Sequence, residues 1–304
     1  MGMFDVADKS DTLRIATAQA IIRVSHTTID LIKSGKSPKG NIFDAARISA
    51  TMAAKRTSDL IPYCHPIPLD DVKVDVILID ESIQITTRVK TVWKTGVEME
   101  ALTAASIASL TIYDMLKPID ESLLIENIKL IEKQGGIKDF SESYSRRLRA
   151  AVLVVSDSRT KREDQSGKVI INRLEKSGLD VVEYKVITDE KEKIEFEMTR
   201  FCDELRLDMV ITSGGTGIGP RDKTPDATKN VIEKELLGVA EMLRSYGQRR
   251  TPLSMLSRGV AGVRGTTVII NLPGSVKAVS ESLDSLFPGI LHAFKMLEGH
   301  SHRH

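Results

Sequence analysis

The sequence predicts two folds in series: an α+β first half, with helices on an antiparallel sheet, and an α/β second half, with a mostly parallel sheet between helices. Three observations carry this. The clearest early strands, "DVKVDVILID" and "IQITTRVKTVW", follow one another as a hairpin with no helix between them. Farther on, apolar strands alternate with helical patterns. At 304 residues the chain exceeds the roughly 100–200 usual for one domain, so two cores are expected.

In the first half, apolar residues at helical spacing predict helices over roughly Thr12 to Ile32 and Asn41 to Thr57, and a longer one from about Val97 to Leu116. Val72, Val74, Val76 and Leu78 alternate on one predicted strand and Ile83, Ile85, Thr87 and Val89 on the next, with a short turn between. The segment "QGGIKDFSESYSRR" combines a glycine pair, serines and charges without apolar periodicity. The boundary is placed there, giving a first domain over 1–140, a linker over 141–147 and a second domain over 148–304. Past it come an apolar strand "LRAAVLVVS", a helix around Lys168 to Lys176, a strand "VVEYKVI", a helix around Lys193 to Leu205 and the strand "DMVITS". Strands apolar on both faces belong to a parallel sheet covered by helices, with its ligand expected at the strands' C-terminal ends. The closing "GHSHRH" could chelate metal, but it reads more simply as a frayed tail or an expression remnant.

Lys plus Arg total 43 against 42 Asp plus Glu, which excludes a chain-wide positive field for nucleic acid or an anionic membrane and leaves anion binding to local sites. The cysteines, Cys64 and Cys202, lie far apart and offer no disulfide framework, which suits a reducing, cytoplasmic setting. The start "MGMFDVADKS" has no apolar run of signal-peptide length, and no stretch approaches the roughly 18 apolar residues of a membrane span. The expected partners are small molecules, not nucleic acid or membrane.

Within "KTGVEMEALTAASIASLTIYDMLK", Thr95 followed by Glu98 matches a capping box, with Thr as N-cap and Glu at N3. Helix initiation is the plain account of Glu98, and the helix dipole extends it to Glu100. Asp114 and Lys117 are neighbours on one helix face, as in an ordinary surface ion pair. "LIPYCHPIP" holds Cys64 and His65 between Pro62 and Pro66, in a loop with little backbone freedom. Such loops can hold a working side chain, although a Cys-His pair without further ligands is poor evidence for zinc. Lys39 lies beside Gly40 just before a helix, where an ammonium and backbone donors can meet phosphate.

Together, "MFDVADKSDTLRIATA", "KGNIFDAARISATMAAKRTSDLIPYCHP" and "KTGVEMEALTAASIASLTIYDMLK" resemble the MoaC family, the cyclic pyranopterin monophosphate synthases of molybdenum cofactor biosynthesis, over about the first 140 residues. The resemblance implies a ferredoxin-like domain that rearranges (8S)-3',8-cyclo-7,8-dihydroguanosine 5'-triphosphate into a pyranopterin with a cyclic phosphate, releasing pyrophosphate without a cofactor. It assigns function to Lys39, His65, Glu98, Glu100, Asp114 and Lys117, and substrate binding also to Tyr63, Cys64 and Met99. It further implies a homo-hexamer arranged as a trimer of dimers. Asn41 stands where the family often has an acid, and Ser37 and Pro38 where histidines are frequent. The residue chemistry agrees. Lys39, His65 and Lys117 can hold a triphosphate and stabilise charge on departing pyrophosphate, and Glu98 and Glu100 can hold amino and ring-nitrogen groups. An Asp114–Lys117 couple can exchange protons if burial brings both pKa values toward neutrality. Glu100 and Asp114, 14 positions apart, would lie about 21 Å apart along an unbroken helix, too far for one small substrate. A site shared between neighbouring chains is therefore expected, with Asp114 and Lys117 from one and Glu98 and Glu100 from the other.

The second half carries "VITSGGTGIGPRDKTPDAT", a strand passing into Gly214, Gly215, Thr216 and Gly217, where N–H groups can approach an anion. No Gly-Lys-Ser/Thr follows, which disfavours a P-loop, and the dinucleotide fingerprint is incomplete. Asp222, Asp226 and the pair Asp189–Glu190 fit either turn and cap chemistry or metal binding. With "VLVVSDSRTKREDQSG" and "SMLSRGVAGVRGTTVIINLPGS", this segment resembles the MoaB/Mog family over about Arg147 to Leu297. That family binds molybdopterin and, in active members, adenylylates it with ATP and Mg²⁺. The resemblance implies Asp189 and Asp222 as catalytic acids linked to Mg²⁺, and Gly214, Gly215, Thr216 and Gly217 as a phosphate cradle. It adds Ser257, Arg258, Pro273, Gly274 and Ser275 as binding residues, in an α/β domain that trimerises. The combined reading is a bifunctional molybdenum cofactor enzyme. One alternative leaves the second half a pterin-binding or oligomerisation module without turnover; another makes the whole chain a nucleotide-binding regulator.

Overall fold

The computed structural model describes residues 2–136, 139, 142–157 and 160–299. Residues 137, 138, 140 and 141 of the boundary segment, Ser158 and Arg159 of the second-half motif, and the closing residues 300–304 with their histidines lie outside the described residues. The chain divides into two compact units, residues 1–139 and 140–304.

The first unit runs β1 (Thr12–Arg23), α1 (His26–Lys33), α2 (Ile42–Lys55), α3 (Thr57–Leu60), β2 (Asp71–Ile79), β3 (Ser82–Trp93), α4 (Glu98–Leu116) and β4 (Leu124–Gln134). Its sheet is antiparallel throughout in the order β2-β3-β1-β4, a ferredoxin-like arrangement. The helix expected over Thr12 to Ile32 is corrected: most of that segment is the inner strand β1, and only α1 is helical. Ile15, Ala18 and Ile22 coincide with helical spacing, yet Ala16, Ala18, Ala20 and Ile22 are buried at every second position, the period of a strand with one face in the core. The predicted hairpin is β2–β3, paired from Asp71↔Lys90 to Ile79↔Ser82 and closed by Asp80 and Glu81, with Asp80 in the left-handed region at φ 51°. The edge strand β4 had no counterpart in the sequence reading.

The helix α4 lies on this sheet with Ala101, Ala104, Ala105 and Ala108 wholly buried. Small side chains allow close approach, and α2 adds Ala46, Ala50 and Ala54 to the same core. The Thr87 hydroxyl donates to the Ala101 carbonyl at 2.8 Å, pinning the first turns of α4 to β3. At its far end, the Thr111 hydroxyl donates to Ser49 Oγ of α2 at 2.9 Å.

The second unit runs β5 (Leu148–Val155), α5 (Ser166–Lys176), β6 (Leu179–Ile187), α6 (Lys191–Thr199), β7 (Met209–Ser213), α7 (Thr224–Val231), β8 (Lys234–Glu235), α8 (Leu237–Gln248), β9 (Ala261–Arg264), β10 (Thr267–Leu272), α9 (Val276–Leu286) and α10 (His292–Leu297). The sheet order is β6-β5-β7-β10-β9-β8, parallel from β6 to β10 and antiparallel at β9 and β8. Both faces are packed, as the continuous apolar strands require. Val152, Ile211 and Ile270 meet Ile170 of α5 and Leu283 of α9, while Leu153, Val210 and Ile269 meet Met198 of α6 and Ala227 of α7. The helix expected to reach Leu205 ends at Thr199 and continues as a π-helical turn over Arg200–Glu204.

Candidate functional site

In the first unit, the residues singled out by the motifs gather at the two ends of α4. At the C-terminal end, Lys39 Nζ donates to Asp114 Oδ2 at 2.8 Å and to the Asp114 carbonyl at 2.9 Å, and Lys117 Nζ lies 2.8 Å from Asp114 Oδ1. Lys39 is brought there by the loop before α2, whose N-cap is Asn41: its Oδ1 accepts the N–H of Phe43 at 3.0 Å and of Asp44 at 3.2 Å. Hydrogen bonds from Lys117 and Lys39 hold the Asp114 carboxyl down at about 2, and Asp114 in turn raises the Lys117 ammonium. The condition for a proton couple, both pKa values brought toward neutrality by burial, is not met in the single chain. In the single chain Asp114 is 56% exposed, and each partner shifts away from neutrality, because pairing outweighs desolvation.

At the N-terminal end, α4 begins at Glu98 with Val97 as N-cap and no side-chain cap bond, so the Thr95 capping box does not form. The Glu98 carboxylate instead lies back against Gly96, with Lys133 Nζ of β4 at 3.6 Å. Glu100 points into the core side of the same turn. It is only 3% exposed and its Oε2 has no hydrogen-bond partner among the described residues. Burial, with a smaller push from Glu98, raises its carboxyl to about 7. Glu100 and His65 line one pocket of about 200 Å³ together with Thr57, Ser58 and Pro66. The neighbouring Cys64 thiol is raised by burial and by the charge of Glu100; Tyr63, next to Cys64, and Met99, next to Glu100, are both exposed. Within one chain His65 thus shares a pocket with Glu100, and Lys39 and Lys117 do not line it. The helix between the two ends is unbroken over 19 residues, so the separation of about 21 Å stands.

In the second unit, β7 leads into Gly214 (φ 102°) and Gly215 (φ 64°), at the C-terminal edge of the parallel sheet. A Cβ on Gly214 would sit 2.2 Å from the Val155 carbonyl oxygen; one on Gly215 would sit 2.4 Å from both Asp189 Oδ2 and Thr224 Oγ1. Only glycine fits either place. Asp189 Oδ1 accepts the Lys223 N–H at 3.1 Å, and Asp222 Oδ2 accepts the Gly219 N–H at 2.7 Å. Burial, then the charges of Asp222 and Asp157, raise the Asp189 carboxyl, while Arg221 pairs with Asp157 at 2.8 Å. No group of three or more His, Cys, Asp or Glu among the described residues forms a metal cluster. Two carboxylates beside the glycine loop nevertheless fit Mg²⁺, which takes one or two carboxylates with phosphate oxygens.

Beside this loop opens a cleft of about 490 Å³, lined in part by Thr216, Gly217, Ser257, Pro273 and Ser275. Arg258 does not line the cleft, but its N–H donates to the Thr216 carbonyl at 2.9 Å and its guanidinium pairs with Asp226 at 2.5 Å, tying the chain between Ser257 and Gly259 to the glycine loop. A Cβ on Gly274 would lie 3.3 Å from Gly214 Cα, so these two loops abut. The sequence reading missed Arg244, Tyr246, Arg250 and Lys277, which also line the cleft. The basic run "RSYGQRR" was the available signal, and in the structure the Arg250 guanidinium stacks 3.6 Å over the Tyr246 ring.

Residues 3–136 match the MoaC family, and residues 151–292 match the family described as "Probable molybdopterin binding domain". A molybdenum cofactor biosynthesis bifunctional protein of Chlorobaculum tepidum is 41% identical, covering 99% of this chain and 96% of its own length. A cyclic pyranopterin monophosphate synthase of Novosphingobium aromaticivorans is 51% identical, covering 44% of this chain and 85% of its own. Among solved structures, MoaB of Thermus thermophilus is similar at 40% identity and a TM-score of 0.48, covering 51% of this chain and 99% of that one. With a relative aligned across both halves at that identity, the chain belongs to the bifunctional proteins of molybdenum cofactor biosynthesis, its first half in the MoaC family and its second half matching the probable molybdopterin binding domain.

Proposed function

We propose that the first unit converts the cyclised dihydro-GTP to cyclic pyranopterin monophosphate with release of pyrophosphate, and that the second binds molybdopterin and adenylylates it with ATP and Mg²⁺. One observation carries the first claim: the motif residues form a cationic cluster at one end of α4 and, at the other, a buried acid beside His65 whose Oε2 has no partner among the described residues. Lys39 and Lys117 suit the triphosphate, since they can turn from Asp114 to phosphate oxygens and stabilise charge on departing pyrophosphate. Glu98 and Glu100 suit the guanine-derived rings as acceptors, and a carboxyl near 7 can also exchange a proton with a bound ring. Because one chain holds these groups about 21 Å apart, the complete site takes the cation cluster of one chain and the glutamate end of its neighbour, within a homo-hexamer built as a trimer of dimers.

In the second unit the pterin occupies the 490 Å³ cleft, and the N–H groups of Gly214 to Gly217 meet phosphate oxygens at its edge. Asp189 and Asp222 would hold Mg²⁺, which supplies charge neutralisation on the phosphates. The nearness of both carboxylates to the glycine loop favours turnover over binding alone. Catalytic domains over 1–140 and 148–304 and a cytoplasmic location, suited to unpaired cysteines, belong to the same reading.

The test is one purified chain in two assays: pyrophosphate and pyranopterin formation from the cyclised dihydro-GTP, and ATP-dependent adenylylation of molybdopterin. Folded protein without turnover in the first removes the first claim. Adenylylation that survives Asp222→Asn removes the role given to Asp222.

A further inference from the structure

We propose that Gly96 is a positioning residue: its missing side chain lets the Glu98 carboxylate lie back over the turn that starts α4. The inference rests on the reading that Glu98 contacts substrate. Gly96 is not among the glycines with positive φ, so its backbone conformation does not itself demand glycine. The space beside it does. A Cβ there would lie 2.0 Å from Glu98 Oε2, 2.7 Å from Cδ and 2.8 Å from Oε1, whereas ordinary contact begins near 3.4 Å. The three nearest atoms all belong to the Glu98 carboxylate, the free end of a flexible side chain. An added methyl group therefore displaces that carboxylate by more than about 1 Å and leaves the fold in place.

Two further contacts define where the carboxylate rests. Lys133 Nζ, near the end of β4, stands 3.6 Å from Glu98 Oε1. Arg14 spans the segments on either side: its Nη2 donates to the Lys94 carbonyl at 3.4 Å and its Nη1 to the Gly135 carbonyl at 3.5 Å. It thus ties the chain entering Gly96 to the turn that follows Lys133. No other residue can take the place of Gly135, since at φ 93° its Cβ would lie 1.8 Å from the Leu13 carbonyl oxygen. Glu98 is held between a turn without a side chain and a cation on the neighbouring strand, with 33% of its own side chain exposed for a ligand.

The experiment compares the full chain with Gly96→Ala, Glu98→Gln and the double variant, measuring KM and kcat for pyrophosphate release together with Tm. Gly96→Ala is expected to keep its Tm and to raise KM by about 10- to 100-fold, with kcat changing much less. In the Glu98→Gln background the same glycine substitution should add nothing. Unchanged KM in Gly96→Ala, or effects that multiply in the double variant, would overturn the proposal while leaving the role of Glu98 intact. A wild-type KM in Glu98→Gln overturns both. Should Gly96→Ala unfold, Gly96→Ala/Glu98→Ala decides: recovery of Tm shows that the carboxylate alone filled the space, and failure to recover refutes it.

Discussion

Glu100 combines near-complete burial with an Oε2 that has no partner among the described residues, so its charged form is the costly one and its carboxyl rises from 4.5 to about 7. Between those values the folded protein binds more protons than the unfolded chain. The contribution of Glu100 to stability is thus fully present below pH 4.5 and is lost as pH rises through 7. Glu100→Gln is predicted to remove this slope and to be more stable than the parent at pH 8, by on the order of 3 kcal/mol. Denaturant midpoints at pH 4.5 and pH 8 measure it; a difference between parent and variant that does not change with pH refutes the account. The motif "VEME" marks both glutamates in the sequence. Which of them is buried depends on the sheet beneath α4, and that is not written in the motif.

At the scale of elements, local chemistry was legible where neighbours in sequence settle it. Asn41 caps α2 through two backbone N–H groups, so Asn41→Ala should cost about 1 kcal/mol of stability, while Asn41→Asp should cost little; thermal unfolding distinguishes them. The glycine loop after β7 was legible for the same reason. Gly214→Ala meets both a positive φ and a carbonyl oxygen 2.2 Å from the new Cβ. It should cost a few kcal/mol and abolish adenylylation while pyrophosphate release by the other unit persists. Loss of both activities together would contradict that independence. The reading failed at β1 and at Thr95. An alanine-rich strand buried on one face carries apolar residues at several spacings at once, and the pairing of β1 with β3 and β4 chose period two. A Thr-x-x-Glu pattern specifies a cap only if the helix begins at the intervening residue, and α4 begins at Glu98 itself.

For the whole molecule, the unbroken α4 puts the cation cluster and the glutamate end too far apart for one substrate. Chains carrying Glu100→Ala and chains carrying Asp114→Ala should each be inactive alone. Assemblies mixed from the two should regain pyrophosphate release, because one composite site in a mixed pair keeps both wild-type ends. No recovery in verified mixed assemblies would count against sharing. The order of the two folds, the hairpin, the parallel sheet with its glycine loop and the family of each half all followed from residues close together in the chain. Their signals are periodicity, turn chemistry and contiguous motifs, which need no knowledge of distant contacts. The strand at the sheet's interior, the burial that lifts Glu100, the grouping of His65 with Glu100 and the pairing that lowers Asp114 were decided only by tertiary packing. Desolvation and ion pairing sum over neighbours brought from elsewhere in the sequence, such as Lys39 beside Asp114, and no local pattern contains that sum.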